Sequence, residues 1–459
     1  MKFSKQAVLA RFHKIPRVQF EDQRLTSFAG VVVFHPLFQY LELTARLKRC
    51  FQHLRGGSIF GVHRIVLLLV VHFLLGFRRL RDVDYYRDAP LVQRLLGLRR
   101  LPDVATISRT LKDMDRTGVD PMRHLVRGLV IDGLQRQPFP RLTVDFDGSV
   151  LSTKGHAEGT AVGFNPRKKG GRSYYPLFAT VAQTGQFFDL LHRPGCPHDS
   201  NGAHDFMMDC FDPLRAACPA ARLESRLDSA FFDQKILNLM DLYGVQATIS
   251  VPFERLPVLK EMIVSRQRWR RIDAEWSYFD SDWKPNAWPA TYRFLFVRHK
   301  VRRQQKKGPL QLDLFEPRDF DYDYRVVATN KTGWAGNVLR FHHGRGSQEG
   351  LLGEAKQHSG LDLIPTRRLA ANQLVTLCAM MAHNLGLEIQ MLATPRHTYS
   401  HAKRPAAWVF QTLATLRHRF IQRAGRLTEP QGEVTLTLSP NPMVKQDLLK
   451  FLGALHKAA

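Results

Sequence analysis

The chain has 459 residues, too many for one small core and enough for two or three structural units. Lys and Arg number 67 against 41 Asp and Glu, a formal +26 spread along the sequence, which points to a long polyanion such as DNA or RNA; a ribosome-associated basic protein would share that balance. Five dispersed cysteines with no C-x-x-C pair exclude a disulfide framework and a cysteine zinc finger, so a reducing, cytoplasmic setting is expected.

The opening MKFSKQAVLARFHKIPRV carries charge throughout and has no apolar signal region. The most apolar run, Ile65 to Phe77, is interrupted by His72 and falls short of the ~20 residues a bilayer span needs, so it predicts a buried helix and no membrane partner. From about Leu41 to Leu134 apolar residues recur at three and four, the period of an all-α region. Within it, LGLRRLPDVATISRTLKDMD has a proline turn, Thr106 or Ser108 as a helix cap, and Arg94, Arg99, Arg100, Arg109 and Lys112 around them. That is the outline of a helix-turn-helix, and a plain helical hairpin with a solvated basic face fits as well.

At Pro138 to Pro140 the pattern turns to period two. RLTVDFDGSVL alternates, and YYPLFATVAQTGQFFDLL gives two strands split by a Thr184-Gly185 turn. In the first strand Asp145 and Asp147 share one face, which is costly within an aromatic and β-branched run unless a cation or hydrogen bonds receive the charge; a turn-forming Asp-Gly pair is the plainer reading. Further on, ARLESRLDSAFFDQKILNLMDLYGVQATISV reads as strand, helix, strand with Asp228 at the end of the first strand. There it either meets a ligand or caps the helix. In FHHGRGSQEGLLGEAKQHSGL, Arg345, Glu349 and Lys356 share one helical face, either as a carboxylate flanked by two phosphate-clamping cations or as solvated ion pairs.

Arg345, Glu349 and Lys356 reproduce the spacing of the Y-(2)-R-(3)-E-(6)-K signature, and the chain therefore resembles the D-D-E insertion-sequence transposases with an RNase H-like core. His342 stands where that signature has tyrosine, with Phe341 beside it. Asp147-Gly148-Ser149 resembles the first-aspartate motif, and Arg226-Leu227-Asp228-Ser229-Ala230-Phe231 resembles the second, R-x-D-S-x-F. The interval from Asp228 to Glu349 is half as long again as that from Asp147 to Asp228. It holds Trp- and Tyr-rich β-like runs that resemble the insertion domain of this transposase branch, where Trp276, Trp283, Trp288 or Trp334 could stack on a base, although a core position is the plainer reading of each.

The resemblance implies an α/β fold, an RNase H-like mixed-sheet core with an N-terminal all-α domain and an inserted β-rich subdomain. The expected units are residues 1–137 (helical, DNA-binding), 138–265 (core, first part), 266–330 (insertion), 331–395 (core, second part with the Glu helix) and 396–459 (basic C-terminal region). It also implies two Mg²⁺ ions, with Mn²⁺ able to substitute, held by catalytic Asp147, Asp228 and Glu349, while His342, Arg345 and Lys356 contact DNA phosphates. Such an enzyme would cleave transposon ends and join the 3′-hydroxyls to target DNA. Its partners would be double-stranded terminal inverted repeats, target DNA and a second copy of itself, at a bacterial nucleoid. An RNase H-like nuclease without strand transfer and a transposase-derived regulator share much of this pattern. The tract from Arg298 to Gly308 reads as a phosphate-neutralising loop or strand end, and a disordered linker fits nearly as well. The cluster His192, Cys196, His198 and His204 has the spacing of no familiar zinc site.

Overall fold

The computed structural model describes residues 17–54, 59–153, 155–163, 165, 168–198, 200–286, 288, 292–301, 322–397 and 407–458. Most of the basic tract that starts at Arg298, and the Lys403–Arg404 pair, lie outside them.

The alternating segment Arg141–Gly148 becomes β1, a central strand with neighbours on both edges. The other strands of its sheet are β2 (Leu177–Val181), β3 (Gln186–Leu191), β4 (Arg222–Leu227), β5 (Gln246–Ser250), β6 (Arg270–Arg271), β7 (Trp276–Ser281), β8 (Arg293–Lys300) and β9 (Tyr322–Thr329). Their order across the sheet is β6-β7-β8-β9-β5-β4-β1-β2-β3. β1, β4 and β5 are parallel, and β2 and β3 form an antiparallel hairpin on one side. Gly185, at φ +66°, supplies the left-handed residue in that turn. On the other side β6 to β9 form an antiparallel meander that joins β5 through β9, so the inserted strands extend the central sheet.

The helices that cover this sheet or build the layer beside it include α1 (Val62–Leu75), α2 (Arg116–Arg136), α3 (Ala203–Ala217), α4 (Gln234–Leu242), α5 (Ala335–His343), α6 (Gly346–His358) and α7 (Leu369–Ala393). Alternation sends Val144 and Phe146 of β1 to the sheet face covered by Phe206 and Phe211 of α3 and Ile236 and Met240 of α4. Each phenylalanine fully buried there contributes about 1.5–3 kcal/mol. Asp145 and Asp147 fall on the opposite face, which α5, α6 and α7 cover.

α7 is apolar nearly all round and is buried along almost its whole length, packed on α1, α2 and the helix Pro442–Ala458. Its Asn384 pins it to β3 by accepting from the Phe187 N–H at 2.8 Å and donating to the Phe187 carbonyl at 2.7 Å. The C-terminal residues thus complete the N-terminal helical layer. Strand Leu25–Thr26 pairs with Gly425–Thr428, which pairs in turn with Thr435–Leu438.

In the basic helical segment, helices span Pro90–Leu96 and Val104–Lys112. The cap is Asp103, accepting from the Thr106 N–H at 2.7 Å, and not Thr106 or Ser108, because the helix starts earlier than the capping hydroxyls imply. Among the described residues no helix is long and apolar enough to cross a membrane.

Candidate active site

The parallel ladder between β1 and β4 keeps a constant offset of 81 residues, from Arg141 opposite Arg222 to Asp145 opposite Arg226. β4 and β5 continue it, with Arg226 opposite Thr248. Asp145, Arg226 and Thr248 therefore form one row across three strands. Two residues further, the same register brings Asp147, Asp228 and Ser250 into the next row, at the strands' C-terminal ends. Neighbouring strands lie about 4.8 Å apart, so the two carboxylates are close neighbours at the edge where ligands of open α/β sheets gather. Both aspartates are half-buried. Asp228 also accepts from the Ala230 N–H at 3.0 Å and so caps the turn Ser229–Phe231; the ligand-facing and capping readings describe one residue.

Asp145 is a different kind of carboxylate. It is 1% exposed, and Arg226 grips both its oxygens, with Nε donating to Oδ1 at 2.8 Å and Nη2 to Oδ2. Burial leaves its carboxyl above the ordinary carboxylate range despite the pull of that guanidinium. Arg226 also packs on the Phe341 ring, 5.6 Å from its centroid. Gly344, in the turn between α5 and α6, leaves room for the guanidinium, since a Cβ there would lie 1.9 Å from Arg226 Nη1.

Glu349 stands in the first turn of α6, where the helix dipole favours an anion. The preceding residue, Gln348, is buried and donates from Nε2 to the Asp145 carbonyl at 2.9 Å, which fastens the start of α6 over β1. Glu349 itself is 59% exposed and accepts from Arg345 Nη2 at 2.9 Å. Lys356, two turns along, donates to the Val150 carbonyl at 2.9 Å, in the loop that follows Asp147.

His342 points inward, with Nδ1 3.0 Å from the Thr248 hydroxyl and Nε2 2.9 Å from the Ser250 hydroxyl. Burial first, then the nearby Arg345, His343, Arg226 and Arg325, lower its pKa to about 3, so the ring is neutral. It joins α5 to β5 directly beneath the row that holds Asp228.

The structure thus brings Asp147, Asp228, Glu349, Arg345 and Lys356 to one end of the sheet. The donor set is all carboxylate oxygen, the hard kind that suits Mg²⁺ or Mn²⁺. Glu349 is turned onto Arg345, and among the described residues no three His, Cys, Asp or Glu side chains gather into a group that could hold a metal ion. That statement covers His192, Cys196, His198 and His204 as well.

Of the tryptophans, Trp288 is buried and Trp283 packs edge-on against Phe294. Trp334 is 48% exposed at the start of α5, the end opposite His342. Trp276 stacks on His299 at 4.3 Å and lies 5.0 Å from His343.

Four supporting residues carry no signal that pattern or spacing would pick out. Gln348 and Gly344 sit unremarked inside a charged motif. Arg78 donates to the Lys356 carbonyl at 2.6 Å, and Arg417 donates to the carbonyls of Leu74 at 2.7 Å and His358 at 2.5 Å. These two arginines satisfy the last carbonyls of α1 and α6 and tie the helical layer to the Glu helix.

The family model described as transposase DDE domain group 1 matches residues 10–459. Among solved structures, the chain is similar to a piggyBac transposase in a synaptic complex with hairpin DNA, with a TM-score of 0.43 and 13% identity, over 78% of this chain and 74% of that one. No curated protein sequence matches the chain.

Proposed function

The chain belongs to the DDE transposase family, whose members use divalent metal ions, and from that premise we propose that Asp147, Asp228 and Glu349 are its catalytic carboxylates. One observation carries this reading: the β1–β4 register sets Asp147 beside Asp228 on the face where Gln348 fastens the Glu349 helix. The order β3-β2-β1-β4-β5, with β1, β4 and β5 parallel, supports an RNase H-like core over residues 138–265 and 331–395. Residues 266–330 interrupt that core, and 1–137 with the basic 396–459 build the helical layer beside it.

Divalent ions held by the three carboxylates, two Mg²⁺ with Mn²⁺ able to substitute, would activate the attacking oxygen and stabilise the leaving one. The chain does the rest. Arg226 occupies both oxygens of Asp145 and so keeps that carboxylate from competing for cations. Glu349 would serve both a bound ion and Arg345, so metal loading would compete with that ion pair. Arg345 and Lys356 flank Glu349 and offer positive charge to the phosphates of the bound strand. His342, with both ring nitrogens engaged, acts as the anchor of α5 and reaches DNA only through the helix it holds.

The activity is cleavage of the element's double-stranded terminal repeats and joining of their 3′-hydroxyls to target DNA, by two copies of the chain that each hold one end. The test incubates the protein with plasmid DNA carrying the gene's own flanking ends, with Mg²⁺ or with EDTA. Metal-dependent joined product is expected. Cutting without joining would make the protein a nuclease, and binding without chemistry would make it a regulator.

A further inference from the structure

Beside Asp228, between the inserted meander and the ends of β4 and β5, lies a cavity of about 510 Å³ whose lining includes Ser229, Glu254, Tyr324, Arg325, His343 and Arg345. Arg325 comes from β9, outside every motif that marks the active site. It is exposed and forms no ion pair among the described residues, although it projects from a strand otherwise committed to the sheet. Trp276 braces it from one side, 5.9 Å from its Cζ, and meets the His343 ring at 5.0 Å. One aromatic side chain of the insertion thereby sets the Arg325 guanidinium and the His343 ring, which burial keeps neutral and able to donate one hydrogen bond, at the same wall. Arg345 enters from the α5–α6 turn. Against these stand Glu254 at the rim and Glu349, which engages Arg345. Glu349 takes up Arg345, so Arg325 is the guanidinium left without an ion pair among the described residues, and it faces a space next to a carboxylate row from the insertion.

Resting on the phosphoryl-transfer reading, we infer that this cavity is a backbone subsite, in which Arg325 and His343 hold a DNA phosphate close to the one that reacts. A phosphate there is a hard, doubly accepting anion of the kind an unpaired guanidinium binds. Through this subsite the insertion fixes the strand's path as it leaves the carboxylates.

The experiment measures binding of a duplex carrying the gene's own end by fluorescence anisotropy across a salt series. Arg325→Ala should weaken binding about tenfold at low salt and reduce the slope of log affinity against log salt by about 1, as loss of one phosphate contact requires. Arg340→Ala, an exposed arginine on the outer side of α5, removes equal charge and should leave the slope unchanged. A methylphosphonate scan over the phosphates around the cleavage position should find one whose neutralisation weakens wild type but not Arg325→Ala. If Arg325→Ala and Arg340→Ala behave alike, or no phosphate is coupled to Arg325, the subsite is wrong. Such a result, together with metal-dependent joining by wild type, would leave the transposase reading standing; loss of joining in wild type itself would remove that reading instead.

Discussion

The Arg226–Asp145 pair links the strands that carry Asp147 and Asp228, two residues short of each. Replacing Arg226 with Met strands a carboxylate that is 1% exposed, and breaking a buried pair in this way costs about 3–5 kcal/mol. At ~2–4 °C per kcal/mol for chains of moderate size, the thermal midpoint should fall by roughly 6–20 °C. Replacing both partners, Arg226→Met with Asp145→Leu, should recover most of that loss, because no lone charge remains. pH gives a second readout. Burial raises the folded-state pKa of Asp145, so as pH falls the folded variant takes up its proton before the unfolded chain does. The deficit of Arg226→Met relative to wild type should therefore shrink as pH drops toward ~4, the ordinary carboxylate value. Circular dichroism melts of wild type, Arg226→Met, Asp145→Leu and the double variant at neutral and acid pH decide the matter. A single substitution costing under about 1 kcal/mol, with the double mutant simply additive, would refute the reasoning.

Gly344→Ala attacks the same pair from the opposite side, since its Cβ would meet Arg226 Nη1 at 1.9 Å; joining should fall more than tenfold while DNA affinity stays within twofold, and wild-type joining would contradict this. Gln348→Leu leaves the Asp145 carbonyl without its donor and should cost about 1–3 kcal/mol in urea unfolding. It should also lower the joining rate without changing the DNA concentration for half-maximal rate; an unchanged rate would show that α6 is held by other contacts. His192 has both ring nitrogens shut off from solvent with no hydrogen-bond partner among the described residues, and burial lowers its pKa to about 3. Its folded pKa lies below its unfolded ~6.5, so its contribution is present above pH 6.5 and is lost as pH falls toward 3. His192→Phe should therefore remove about 2 kcal/mol of the stability difference between pH 7 and pH 5, read from urea midpoints, and an unaltered difference would place the ring in water.

Local pattern carried the strands well. The alternation in RLTVDFDGSVL and the Thr184-Gly185 turn both appear as β1 and the β2–β3 hairpin, because each needs only nearest-neighbour chemistry. What separates Asp145 from Asp147 is not local. The two share a strand face, and only a partner 81 residues away makes one of them half of a buried ion pair. The same holds for Arg417, which looks like one more cation in a basic tail and in fact closes the ends of two helices. Burial lowers its pKa to about 10. His342 illustrates the converse: its place in a motif suggests a surface donor, while the hydroxyls of Thr248 and Ser250, on a strand far away in sequence, draw it inside. The course of α7 through the helical layer was likewise beyond a pattern reading, because a helix apolar on every side does not say which partners it has.

Catalysis of the proposed kind requires three carboxylates acting as one unit. The most direct measurement compares wild type with Asp147→Ala, Asp228→Ala and Glu349→Ala in Mg²⁺-dependent joining of the gene's own ends, with binding to the same DNA measured in parallel. Each variant should bind DNA within a few-fold of wild type and lose joining by at least about a thousandfold, the loss expected when one of a set of groups acting together is removed. A variant that still joins at near wild-type rate would take its residue out of the catalytic site.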